Sequence, residues 1–140
     1  MVEVDILGMR YLGVDYGTRR MGIAVSDDGG RIAFPKGVVS AHTDLARLRE
    51  ILRIIKRERI GTVILGIPLD TAGRERDTAR RVRAFRVALE KQISIPIVFE
   101  NEILTTRLAE SDSHSRTKID AAAAAIILQS YLDTRARSAE

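Results

Sequence analysis

The sequence predicts an α/β domain: a mixed sheet, three antiparallel strands and then parallel ones, flanked by helices. Three observations predict it. The first forty residues hold three short apolar runs joined by glycine-containing turns, the pattern of consecutive antiparallel strands. From Thr43 onward short apolar runs alternate with stretches of helical period, the pattern of parallel strands joined by crossover helices. The 140 residues, 45% hydrophobic and 30% charged, suffice for one core and a single domain over 1–140.

Residues 1–8 read as a short N-terminal extension. Tyr11 to Val14 makes the first strand and carries Asp15 to its end. Gly17 turns the chain, and Gly22 to Ser26 returns as the second strand. Asp27-Asp28-Gly29-Gly30 is a hairpin signal, because Asp-Gly and Gly-Gly tolerate positive φ. Ile32 to Val39 is the third strand; Pro35 donates no ladder bond, which assigns it near the sheet edge. Ser40 or Thr43 caps a helix running to about Arg59, with Leu45, Leu48, Ile51, Leu52 and Ile55 on one face. Thr62 to Gly66 is a short apolar run typical of a central strand, and Ile67 to Gly73 leaves it as a loop. A second helix covers roughly Arg74 to Gln92, with Val82, Phe85 and Leu89 inward. Pro96 to Phe99 is the last strand, followed by Glu100-Asn101-Glu102. A polar stretch, Ser111 to Lys118, precedes a final helix from about Ile119 to Arg135.

Composition narrows the function classes. The absence of cysteine excludes disulfides and thiolate metal sites. No apolar run approaches the ~20 residues of a membrane span, and Met1-Val2-Glu3-Val4-Asp5 lacks the basic start of a signal peptide, so a cytoplasmic protein without membrane association is expected. The net charge of +4 rests largely on arginine, whose planar fork suits phosphate and favours acidic partners, nucleic acid among them. Aromatic residues make up only 4%, so contacts to backbone and shape are favoured over base stacking.

Three acidic residues sit where sheet chemistry is usually built: Asp15 at the end of the first strand, Glu102 after the last, and Asp120 at the start of the final helix. The alanines at 121–125 leave that helix slim enough to lie close on the sheet. Carboxylates are hard oxygen ligands for Mg²⁺ or Mn²⁺, and paired ions of this kind activate water and stabilise the leaving oxygen in phosphodiester cleavage. Each residue also has a plainer role open to it: an Asx turn at Asp15, a capping box from Thr117 to Asp120, a solvated loop acid at Glu102. Only their joint occurrence favours catalysis. Arg19 and Arg20 lie beside Asp15 as candidate phosphate ligands. Arg76, Arg80 and Arg83, spaced i, i+4, i+7, form a basic helix face that either binds nucleic acid or is simply solvated. His42 and His114 lack metal-ligand spacing and read as surface residues.

These motifs resemble a known family. Gly13-Val14-Asp15-Tyr16-Gly17-Thr18-Arg19-Arg20-Met21-Gly22-Ile23-Ala24-Val25-Ser26 is similar to the opening signature of the bacterial YqgF/RuvX proteins. Val63 to Leu69 resembles the second block, a strand ending in Gly-(Leu/Ile)-Pro, and Arg81 to Phe85 fits the helix after it. Leu104-Thr105-Thr106 resembles the end of the Asp-Glu-Arg-Leu-Thr block, and Asp120 to Leu132 the last-helix signature. Asn101-Glu102-Ile103 stands where the family has Asp-Glu-Arg, and the stretch from Thr106 to Asp120 is shorter than usual.

The resemblance implies an RNase H-like fold, a metal-dependent endonuclease that hydrolyses phosphodiester bonds, and a role in maturing the 5′ end of precursor 16S rRNA. Its acidic residues carry over to Asp15, Glu102 and Asp120. The expected partner is structured RNA, met by a monomer or weak homodimer. Two alternatives stay open: a Holliday junction resolvase-like enzyme cutting branched DNA, and a non-catalytic RNA-binding module, the latter motivated by Asn101 and Ile103. The Val-Asp-Tyr-Gly-Thr loop also resembles the phosphate loop of actin and sugar kinases, which need two such domains.

Overall fold

The structure, a computed structural model, describes residues 9–17, 19–69, 72, 77–103 and 113–138. Five strands form one sheet: β1 (Arg10–Tyr16), β2 (Met21–Ser26), β3 (Ala33–Val39), β4 (Ile60–Leu69) and β5 (Ile97–Ile103), in the order β3-β2-β1-β4-β5. β1–β2 and β2–β3 are antiparallel; β1–β4 and β4–β5 are parallel. The mixed α/β sheet predicted from the sequence is therefore present, with β3 at an edge and Pro35 in it. Among the described residues no helix is long and apolar enough to cross a membrane.

Alternation along the strands divides the core in two. Leu12, Val14, Tyr16, Ile23, Val25, Val63 and Leu65 point to one face, against Ile51 and Ile54 of α1 (Asp44–Arg57) and Val82, Phe85 and Leu89 of α2 (Asp77–Glu90). Ala24, Ile64 and Val98 point to the other, against Ala124, Ile127, Leu128 and Leu132 of α3 (Ser113–Ser138). On that second face the small residues decide how near the helix comes. A Cβ on Gly13 would stand 2.7 Å from Leu128 Cβ, and one on Gly22 would overlap the Asp120 carbonyl oxygen. Glycines in the sheet and alanines in the helix thus let α3 sink into a trough across β1 and β2. Gln129 fastens it to the edge strand: its Oε1 accepts from Ala33 N–H at 2.9 Å and its Nε2 donates to Arg31 O at 2.9 Å.

Several boundaries differ from the sequence reading, each for a tertiary reason. β1 runs past Asp15 to Tyr16, because Asp15 pairs with Gly22 and Tyr16 with Met21. Ile67, Pro68 and Leu69 belong to β4 instead of a loop, and Glu100 to Ile103 belong to β5, because the two strands pair as far as Leu69 and Ile103. α3 begins at Ser113, so Asp120 lies two turns inside it and the Thr117 capping box is overturned. On α1, Thr43 is the cap, its hydroxyl accepting from Ala46 N–H at 3.1 Å. Leu45, assigned inward, is exposed, and Arg47 takes the buried place. The start of the second helix at 74–76 and the polar residues 111–112 lie outside the described residues.

The β2–β3 hairpin turns on Asp27. Its Oδ1 accepts from Arg31 N–H at 2.8 Å and Ile32 N–H at 3.0 Å, while Gly30 adopts φ 67°. The bonds from Ile32 and then Arg31 hold the carboxyl below its ordinary pKa of 3.8. A depressed folded-state pKa stabilises fully above the unfolded value and is lost as pH falls through the folded one. Asp27→Ala is expected to cost about 1 kcal/mol near neutrality, and less in acid once pH has fallen through the folded-state pKa. Urea unfolding at both pH values checks this.

Candidate active site

The α3 face of the sheet has a polar end. Following the alternation that puts Tyr11 and Gly13 under α3, Asp15 points to the same side and is buried at 6% exposure. On one flank its ladder partner is Gly22, over which the Asp120 backbone rests. On the other, one residue beyond the Val14–Leu65 pair, stands Gly66. Glu102 is on β5 opposite Pro68, and its carboxylate leans back over Gly66, with Oε2 3.3 Å from where a Cβ would be. Two glycines thus flank Asp15, one admitting the second carboxylate and the other the helix that carries the third. Glu102 is itself buried, at 9% exposure.

Asp120 is not turned loose into this space. Arg20 Nε donates to its Oδ2 at 2.7 Å. Among the described residues no three histidine, aspartate or glutamate side chains are grouped closely enough to cage a metal ion. What the fold supplies is two buried carboxylates, Asp15 and Glu102, and a third engaged by an arginine. An all-oxygen, all-carboxylate donor set suits Mg²⁺ or Mn²⁺, which often take only one or two protein carboxylates.

Glu100 shares the face of Glu102 and accepts from Ser130 Oγ at 2.9 Å, which ties β5 to α3. Asn101 is exposed and points away from that face. The Asn101 amide is therefore not aimed at the carboxylates.

The arginines divide. Arg19 is exposed and Arg20 half-buried, both in the turn beside Asp15. Arg80 pairs with Asp77 at 3.5 Å on an exposed stretch of α2, and Arg83 lies over the Phe99 ring at 5.1 Å. α2 covers the opposite face of the sheet from Asp15, so the sheet separates Arg80 and Arg83 from the carboxylates. Arg76 lies outside the described residues, as does the side chain of His114; His42 is exposed.

Sequence reasoning missed Arg47. This buried side chain donates from Nη1 to Gly17 O at 3.0 Å and from Nε to Ala41 O at 3.1 Å, with its guanidinium 5.2 Å from the Tyr16 ring centre. Tyr16 in turn donates to Asp44 Oδ1 at 2.8 Å, and burial followed by that bond holds its hydroxyl above the usual 10.0. Together they pin the carbonyl of the turn that follows Asp15. The signal was present: an arginine four residues before Ile51 on the inward side of an otherwise apolar face. Arg47→Met keeps bulk but strands two half-buried carbonyls and is expected to cost about 2 kcal/mol. Chemical denaturation measures it.

The sheet order and helix placement match solved RNase H-like resolvases. The T. thermophilus RuvC in complex with Holliday junction substrate superposes with a TM-score of 0.57 at 18% identity, covering 91% of this chain and 95% of that one. The fowlpox virus resolvase bound to Holliday junction DNA gives 0.56 at 12% identity, covering 90% and 98%. At the level of sequence the likeness is closer. A protein of Anaeromyxobacter sp. named "Putative pre-16S rRNA nuclease" is 39% identical over 135 residues, 91% of this chain and 98% of its own. One of the same name from Maridesulfovibrio salexigens is 36% identical over 132 residues, 89% of this chain and 98% of its own. With residues 9–134 also matching the family described as RuvX, Holliday junction resolvase, the chain belongs to the RuvX family and carries its RNase H-like fold.

Proposed function

We propose that this protein is a metal-dependent endonuclease that hydrolyses phosphodiester bonds in structured RNA, with precursor 16S rRNA as its substrate, and that it acts in the cytoplasm as a single domain, monomeric or weakly dimeric. The observation that carries the reading is Asp15 in the middle strand, flanked by Gly22 and Gly66, with Asp120 seated beside the first and Glu102 over the second. The names of the curated relatives support the RNA substrate.

Asp15, Glu102 and Asp120 would hold Mg²⁺ or Mn²⁺, which when bound supplies Lewis-acid activation of water and stabilisation of the leaving oxygen. The chain's own groups do the rest. Burial of Asp15 and Glu102 keeps water off their carboxylates and strengthens their pull on a cation. Arg19 and Arg20 supply forked donors for backbone phosphate beside the site. Arg80 and Arg83 on α2, preceded in the sequence by Arg76, give a second, more distant basic stretch for a substrate large enough to wrap the sheet edge.

The non-catalytic alternative loses its motive at one position, since Asn101 points away from the carboxylates. The branched-DNA alternative keeps support from the family's description. Cleavage assays with Mn²⁺ on a precursor 16S rRNA fragment and on a four-way DNA junction separate the readings. Cutting of the RNA and not the junction is expected; cutting of the junction alone would overturn the RNA assignment, and cutting of neither would overturn the enzyme.

A further inference from the structure

Arg20 and Asp120 are one hundred residues apart in sequence, yet the Arg20 Nε meets Asp120 Oδ2 at 2.7 Å, with side chains 26% and 16% exposed. One of the five guanidinium N–H donors makes this bond, and the two terminal NH₂ groups remain for another anion. The Asp120 backbone also rests on Gly22, the ladder partner of Asp15, and the Glu102 carboxylate leans over Gly66 on the other flank of Asp15. Carboxylates on neighbouring elements repel one another unless a cation stands between them. In the structure Asp120 has such a cation in Arg20.

We propose that Arg20 is the resident cation of the carboxylate site: it holds Asp120 while the divalent ion is absent, competes with the ion for that carboxylate, and on release presents its guanidinium to a backbone phosphate. The claim rests on the metal-site reading above. A doubly charged hard cation outcompetes a guanidinium for carboxylate oxygen, whereas the guanidinium matches phosphate with two parallel bonds. Handing Asp120 to the ion leaves the Arg20 charge uncompensated beside an arriving polyanion. Metal and nucleic acid then each raise the affinity of the site for the other, as linkage requires. Exposed Arg19, next in the same turn, adds to the phosphate field without holding a carboxylate.

The test needs no catalysis. Mn²⁺ alone is titrated calorimetrically into the full chain and its Arg20→Gln, Arg20→Lys, Asp120→Asn and Asp15→Asn variants. Separately, binding of a fluorescent RNA hairpin is followed by anisotropy in EDTA. Arg20→Gln is expected to bind Mn²⁺ about tenfold more tightly, and Arg20→Lys about threefold, because a competitor has been removed or shortened. In EDTA, Asp120→Asn is expected to bind the hairpin several-fold more tightly than wild type, a gain that disappears in the Arg20→Gln/Asp120→Asn double variant. A purely structural ion pair would weaken both ligands together. Mn²⁺ affinity unchanged or lower in folded Arg20→Gln and Arg20→Lys, with binding lost in Asp15→Asn, would overturn the resident-cation claim alone. Wild-type Mn²⁺ affinity in Asp15→Asn would overturn the metal site beneath it.

Discussion

Replacing Gly22 with alanine is expected to cost about 3 kcal/mol or more and to lower the melting temperature by about 10 °C. The added Cβ would overlap the carbonyl oxygen of Asp120, a backbone atom within a 26-residue helix, so no side-chain rotation relieves it. α3 must lift from β1 and β2, and the packing of Ala124 and Leu128 against the sheet loosens with it. Nuclease activity should fall with stability, because the same helix carries Asp120. Ala123→Gly serves as a comparison: it lowers helix propensity by about 1 kcal/mol without a clash. Thermal unfolding of the three proteins checks the order.

Asp15→Asn is expected to leave the fold intact and to reduce Mn²⁺-dependent cleavage by at least about a thousandfold, the several kcal/mol that metal catalysis contributes. An amide keeps the size of the buried side chain and one acceptor oxygen, but not the charge. Single-turnover cleavage of the precursor rRNA fragment, paired with circular dichroism, separates lost chemistry from lost structure. Glu102→Gln should behave alike. Arg19→Gln should instead raise KM with little change in kcat, since it removes phosphate binding common to ground and transition states.

Much of this arrangement was legible in the sequence, because it is written in local pattern. Alternation placed Asp15 at the end of a strand, and helical spacing put Val82, Phe85 and Leu89 inward as found. The alanines after Asp120 signalled a helix that lies close on the sheet. What escaped lay in pairing. Nothing local says that β4 and β5 run together to Leu69 and Ile103, so a proline read as a loop start and an acid read as a loop residue are both strand. Spacing sets Arg47 on the inward side of α1, but its partners, carbonyls at 17 and 41 and a ring at 16, come only with the fold. Arg20 was read as a phosphate ligand beside Asp15; its ion pair with Asp120 depends on how α3 lies in the glycine trough. The three carboxylates were named from the sequence, but their relation to Gly22 and Gly66 required the register.

The central claim is that Asp15, Glu102 and Asp120 make one divalent-ion centre on the α3 face. A crystal soaked in Mn²⁺ and measured at the manganese absorption edge tests it most directly. The account predicts anomalous density beside Asp15, with oxygens of Asp15 and at least one of Glu102 and Asp120 at roughly 2.0–2.3 Å, and with Arg20 parted from Asp120 wherever Asp120 is a ligand. Manganese bound elsewhere on the chain, with Asp15 and Glu102 uncoordinated, would contradict it.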